Sequence, residues 1–411
     1  MRTSGVICEC SPPHAGHRYL FDCAHAESDA LVAVMSGCFT QRGEAAVLSP
    51  QVRARLLLRY GVDAVFDLPF PFSSAPGEQF GAAGVSLLSG LGVDELWFGS
   101  ECGDLACLRA AAEVTDSPEF LSAYRTATRS GAGTAAAYAA CLQDRMGRDA
   151  PLSPNDLLAV SYLRALKRSG SRMVPHTVRR RGTGYRAEAV SPGEYPSASA
   201  LRALLASGGV AAWEPYFGAV ELAWIRAEAE AGRAPADVRR LDAAFLAFLR
   251  TAPGAVLDGV PGFGGGIGAR LSSLARTRPD LDSVFRDAAV NCPTSRLRRG
   301  LLFALAGVTD ADLRAGVSYA VLLASNQAGY RFLAAHRRSG LLPVVTRRRE
   351  VPGSSAALRQ LTLTEAAFGL WSLCLPRPAA PSDFLGARVR GEAYAGLCPG
   401  PRLGNFLKEV P

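Results

Sequence analysis

The stretch Gly5-Val6-Ile7-Cys8-Glu9-Cys10-Ser11-Pro12-Pro13-His14-Ala15-Gly16-His17 decides how the whole chain is read. Its first part, 5–10, is a short apolar run suited to a strand, and the prolines that follow cannot continue a ladder. From 18 to 27 the spacing turns helical, so the quartet His14-Ala15-Gly16-His17 falls where a first strand hands over to a first helix. A helix N-terminus offers N–H groups and the positive end of its dipole to an anion. Glycine lets a ligand approach the backbone, and two imidazoles can donate to phosphoryl oxygens as charge develops. A histidine quartet alone is a modest signal. This chain has five histidines, however, and two of them sit at the one junction where nucleotide chemistry would need them. His14 and His17 are therefore the candidate catalytic pair for nucleotidyl transfer. That chemistry needs an aligned attacking oxygen and a neutralised pyrophosphate, with no covalent enzyme intermediate.

Outward from that junction the same alternation repeats. Candidate strands lie at 5–10, 30–35, 64–68 and 95–98, and each is followed by a turn-rich loop. Between them, 49–60 sets Val52, Leu56, Leu57 and Tyr60 on one helical face, and Phe80, Ala83, Leu87, Leu88 and Leu91 form the next. The fold class is α/β, a Rossmann-like doubly wound parallel sheet, in which ligands gather at the carboxyl ends of the strands. Ser153 and Pro154 start a helix to about 167, 173–179 reads as a further strand, and 195–205 as a loop entering a short helix. Ser197 and Ser199 at that helix start, with Arg202 one turn on, form a candidate clamp for the β and γ phosphates of ATP. After about 208 helical spacing dominates, at 220–229, 237–249, 295–306, 319–335 and 361–373, with loops at 259–268 and 376–381. The expected division is a nucleotide-binding catalytic domain, 1–207, and a mainly α-helical domain, 208–411.

Composition bounds the rest. The 411 residues are 48% hydrophobic and 20% charged, which excludes general disorder, and the net charge of +8 is carried mostly by arginine, whose planar fork suits phosphate. No apolar run reaches the roughly 18 to 20 residues of a membrane span, and 1–10 lacks the features of an export signal. The expectation is a cytoplasmic protein with no membrane association and reduced cysteines. A metal site from Cys8, Cys10, Cys102 and Cys107 is disfavoured by spacing, and no metal ligands are assigned.

The ordered series of motifs resembles the HIGH-type nucleotidyltransferase superfamily and, within it, the tRNA(Met) cytidine acetate ligase family. The resemblance rests on 10–17, on Val34-Met35-Ser36-Gly37-Cys38-Phe39-Thr40-Gln41-Arg42-Gly43-Glu44, and on Asp67-Leu68-Pro69 and Phe98-Gly99-Ser100-Glu101. It continues through Pro154-Asn155-Asp156-Leu157-Leu158, Arg180-Arg181-Gly182-Thr183-Gly184-Tyr185, 197–202 and Ser295-Arg296-Leu297-Arg298-Arg299. What it implies is an enzyme that joins acetate to ATP as acetyl-adenylate and transfers the acetyl group to the wobble cytidine of elongator methionine tRNA. ATP is the consumed cosubstrate and Mg2+ the expected cation; no protein partner is implied.

By the same resemblance, Ile7, Cys8, Glu9, Cys10, Ser11, Pro12, Pro13, His14, Ala15, Gly16, His17 and Leu20 would wrap ATP, with Gly99, Asn155 and Arg180 also touching it. Ser11 stands where the family usually has asparagine, Cys10 where an aromatic residue is common, and 264–266 is richer in glycine. For the tRNA, Arg296, Arg298, Arg299, Arg337 and Arg338 are the candidate phosphate contacts, which position RNA without reading its sequence. Two other readings remain open: a small-molecule adenylyltransferase of the same superfamily, which roughly 200 further arginine-rich residues argue against, and a tRNA-binding protein without catalysis.

Overall fold

The computed structural model describes residues 1–130, 133–180, 196–289, 292–339 and 341–381, excluding the side chains of 134 and 337–339. Five parallel strands form the heart of it: β1 (Thr3–Cys8), β2 (Ala30–Ser36), β3 (Ala64–Leu68), β4 (Glu95–Ser100) and β5 (Val174–Arg179). β2 and β3 are buried along their whole length, which is why they read as continuous apolar runs and not as alternating ones. Helices α1 (Ala15–Ala26), α2 (Pro50–Arg59) and α3 (Gly77–Gly90) make the crossovers. One face of the sheet packs Ile7, Val32, Val34, Phe66 and Phe98 against α3 and the helix Pro154–Ser169. On the other face, Val6, Leu31, Ala33 and Met35 pack against Phe21 and Ala24 of α1 and Leu57 of α2.

The sheet also takes two strands from the chain's second half. β6 (Ala320–Ser325) pairs antiparallel with β3, and β7 (Val344–Val345) pairs parallel with β6, giving the order β5-β4-β1-β2-β3-β6-β7. The helical reading of 319–335 is thus corrected: 320–325 is a strand, and the helix is Gln327–Ser339. Ala-Val-Leu-Leu-Ala-Ser is apolar on both faces, and periodicity cannot separate a buried strand from a buried helix over so short a run. The sheet therefore extends past residue 207. Among the described residues of the second half, helices gather Phe245, Leu271, Leu301, Phe368 and Trp371 into a core shared with Phe39 and Phe70, while Trp213, Leu222 and Ile225 pack against Val52 and Leu56 of α2.

Strand order fixes the place of a ligand. β1 lies between β2 on one side and β4 on the other, so the crossovers leave it in opposite directions and a crevice opens at the carboxyl ends of β1 and β4. The loop after β1 carries the histidine quartet, and Gly99 and Ser100 end β4. β1 stops at Cys8, two residues earlier than its sequence suggests. Cys10 is fully buried in the left-handed region (φ 49°), so the chain has already turned and Cys8 and Cys10 do not alternate along one strand.

Candidate active site

Two histidines cap the helix that follows β1. His14 is the N-cap residue of α1, and its Nδ1 accepts from the Gly16 N–H at 3.0 Å; the His17 Nδ1 accepts from the His14 N–H at 3.3 Å. This is a capping box in which both side chains are imidazoles. In a neutral ring whose Nδ1 accepts, the proton sits on Nε2, so the cap fixes the tautomer of both residues as Nε2–H donors. The rings lie 3.9 Å apart between centroids. Gly16 is required by space as well, since a Cβ there would meet the His14 ring at 2.8 Å. The N–H groups of His17 and Arg18 bond to the His14 carbonyl. Much of the amide capacity that a phosphate would use is therefore spent on the cap, and the imidazoles are left to do the donating.

Burial keeps both rings neutral. His14 is held well below the usual histidine range by desolvation and then by His17, Arg180 and Arg202, and His17 is pushed down to about 3 by desolvation and Arg180. A sign follows for stability: between about pH 3 and 6.5 the unfolded chain binds protons that the folded rings refuse, so stability falls on acidification. Each histidine accounts for up to about 1.4 kcal/mol per pH unit in that window. Urea unfolding from pH 7 to pH 4 checks this. The slope should shrink in His17→Gln, and an unchanged slope would show that His17 is not held neutral.

The cleft around the cap has two connected lobes. The first is lined by His14, Gly16, His17, Tyr19, Leu20, Gly99, Val178, Arg180 and Ser197. The second shares His14, His17, Leu20, Gly99, Arg180 and Ser197, and extends over Ile7, Cys8, Glu9, Cys10, Ser11, Asn155, Ser199 and Arg202 to Thr40, Gln41, Arg42 and Glu44, with Phe80, Phe98, Leu158 and Tyr162 beneath. Of the nucleotide contacts expected from sequence, Pro12, Pro13 and Ala15 are not among the lining residues, and the rest converge. Arg202 donates to the Ser11 carbonyl at 2.8 Å and to Ser199 Oγ at 3.1 Å, and Ser197 Oγ caps its helix by accepting from the Ala200 N–H at 3.1 Å. The expected clamp is thus tied to the β1 loop. A Cβ on Gly99 would press on the Arg180 side chain at 3.2 Å.

Two supporting residues were given no role from the sequence. Arg53 of α2 is fully buried and donates to the carbonyls of Leu48 (3.0 Å), Glu9 (2.8 Å), Ser36 (2.9 Å) and Gly37, tying together the ends of β1 and β2. The available signal was an arginine on the same helical face as Leu56 and Leu57. Glu101 accepts from Asn155 Nδ2 at 2.6 Å and from the Asp156 N–H at 3.1 Å, and stands 3.8 Å from Arg180 Nε, so it orients two expected nucleotide contacts at once.

The described candidate RNA contacts already hold partners within the chain. Arg298 pairs with Glu44, Arg299 donates to the Gln41 carbonyl at 3.1 Å, and Arg296 donates to the Gly262 carbonyl at 2.8 Å. Burial pushes Arg299 down to about 10. Two of these guanidiniums brace the hairpin-like turn at 38–46, which walls the second lobe, and Trp371 Nε1 bonds the Ala46 carbonyl at 2.9 Å from the helical side. The side chains of Arg337 and Arg338, and residues 181–185, lie outside the described residues.

The HIGH Nucleotidyl Transferase family model matches residues 1–381. A tRNA(Met) cytidine acetate ligase of Syntrophotalea carbinolica is 39% identical over 359 residues, covering 84% of this chain and 85% of the relative. A protein of the same name from Fervidobacterium nodosum is 29% identical over 379 residues, covering 89% and 87%. Among solved structures, Thermotoga maritima TmcAL bound with alpha-thio ATP superposes with a TM-score of 0.85 at 26% identity, covering 93% of this chain and 98% of that one. The apo form of the same protein gives a TM-score of 0.87 at 25% identity.

Proposed function

The chain belongs to the tRNA(Met) cytidine acetate ligase family of HIGH nucleotidyl transferases, and from that premise we infer that it joins acetate and ATP into acetyl-adenylate and transfers the acetyl group to the wobble cytidine of elongator tRNA(Met). The observation that carries the reading is the paired Nε2–H donors of His14 and His17 beside the guanidiniums of Arg180 and Arg202, at the crevice between β1 and β4. In adenylylation an acetate oxygen attacks the α-phosphorus and pyrophosphate leaves, so negative charge accumulates on phosphoryl oxygens. Neutral donors already aimed there stabilise that charge without reorganisation, and the two arginines supply the positive potential.

Among the described residues no group of three or more His, Cys, Asp or Glu is placed to hold a metal ion. Mg2+ would enter with the ATP phosphates, whose charge it would neutralise. The tRNA would approach along the 38–46 turn and the helix Thr294–Ala306, whose arginines keep further N–H donors beyond those they spend on the turn. Arg337 and Arg338 would add phosphate contacts. No helix among the described residues is long and apolar enough to cross a membrane.

The test is direct. Incubated with ATP-Mg and labelled acetate, the protein should release pyrophosphate only when acetate is present, and should place the label in acetylcytidine of elongator tRNA(Met) after nuclease digestion. Turnover with a phosphorylated cofactor precursor in place of acetate would instead identify a small-molecule adenylyltransferase, and tRNA retention without ATP affinity a binding protein.

A further inference from the structure

An amine that attacks an activated acyl group must lose a proton, and the exocyclic amine of cytosine releases it only to a base beside it, because its lone pair is shared with the ring. The histidines do not offer that base. Both Nδ1 atoms are occupied as acceptors within the cap, and both Nε2 atoms carry protons. Two carboxylates line the second lobe, Glu9 and Glu44. Glu44 is paired with Arg298. Glu9 accepts at Oε1 from the Gln41 N–H at 2.7 Å, while its Oε2 accepts no hydrogen bond from the described residues.

Position agrees with this elimination. Glu9 lines the second lobe, which it shares with His14, His17 and Arg180, and is absent from the lining of the first. Phe98 and Tyr162 close the floor near it, with ring centroids 5.8 Å apart. Arg202 faces Glu9 from the helix Ala198–Gly208, Arg42 from the 38–46 turn and Arg53 from α2, and the Tyr162 hydroxyl senses its charge from the floor. Desolvation still outweighs these and raises the carboxyl above its ordinary range, which makes its ionised form a stronger base.

We propose that Glu9 is the general base of the transfer step, a role that rests on the function inferred above. The cytosine N4 forms its bond to the acetyl carbon, the bond from that carbon to the bridging oxygen of the adenylate breaks, and AMP leaves with the electron pair. The N4 proton passes to Glu9 Oε2 and from there to solvent.

Three readouts on the full chain separate the steps: acetate-dependent ATP–pyrophosphate exchange, acetohydroxamate formation with hydroxylamine as an acceptor that needs no enzymic base, and acetylcytidine in elongator tRNA(Met). In Glu9→Gln, acetylcytidine formation should fall about 10²–10³-fold further than the other two, a size ordinary for general base catalysis. Hydroxamate production also reports that the variant is folded. Glu9→Asp should recover part of the loss, and the wild-type transfer rate should rise with pH through the Glu9 titration, a limb missing in Glu9→Gln. Equal losses in all three readouts would make Glu9 a nucleotide- or acetate-positioning residue, and undiminished transfer would exclude it as the base. If the wild-type protein shows no acetate-dependent exchange, the function itself is wrong and the proposal falls with it.

Discussion

Alanine at His14 or His17 lowers acetyl-adenylate formation by about 10²–10³-fold, the loss expected when one preorganised donor to a developing oxyanion is removed. Acetate-dependent ATP–pyrophosphate exchange measures it, and tRNA retention on a filter should change little, since the rings' hydrogen bonds stay within the cap of α1 while Arg298 and Arg299 hold the 38–46 turn. The geometry makes a sharper statement than the loss itself. Glutamine is the usual partner at the third helical position of a capping box, where its carbonyl accepts from the N-cap N–H and its amide keeps two donors. His17→Gln should therefore retain more exchange activity than His17→Ala. Because each ring's place depends on the other, His14→Ala with His17→Ala should cost less than the product of the single losses. Since both rings are neutral donors in the free protein, ATP binding should not require their protonation and should lack a titration near pH 6.5. An exchange rate in His14→Ala within threefold of wild type would remove the histidines from the mechanism.

The sheet and the position of this site were legible because they follow from local chemistry. Strands buried on both faces leave uninterrupted apolar runs such as 30–35 and 64–68, and the residues that end them, Ser-Pro-Pro after β1 and Pro-Phe-Pro after β3, punctuate the sequence unmistakably. What did not show was everything that depends on partners distant in the chain. β6 joins β3 across more than 250 residues and its hexapeptide fits a helix as readily as a strand; β7 spans two residues. Arg298 and Arg299 looked like part of a solvated basic face, yet their partners Glu44 and Gln41 lie in a turn on the other side of the chain. Charge counts the arginines without saying which of them are already engaged. Glu9 is the reverse case: it stood inside the nucleotide-binding motif, and only the hydrogen bonds of its neighbours separate its part from theirs.

Arg53→Met destabilises the fold by about 2–4 kcal/mol, a large share of the roughly 5–15 kcal/mol available to a domain. Two opposing terms decide the figure. Burying a guanidinium without a bonded carboxylate is costly, as its depression to about 10 shows, and methionine removes that cost. Methionine also strips donors from the buried carbonyls of Leu48, Ser36 and Gly37 and from the part-buried carbonyl of Glu9. Unsatisfied buried acceptors cost about 1–3 kcal/mol each before relaxation, so their loss outweighs the relief. Arg53→Lys separates these terms: it keeps a buried charge but presents three donors from a single point, which cannot span carbonyls just past β1, at the end of β2 and ahead of α2. Lysine should therefore destabilise at least as much as methionine, despite being the conservative change. Both variants should also bind ATP more weakly, because the Glu9 carbonyl that Arg53 holds begins the turn leading to His14. Urea unfolding at neutral pH gives the ranking, and a lysine variant within about 0.5 kcal/mol of wild type would show that charge, and not the forked geometry, holds the carboxyl edge together.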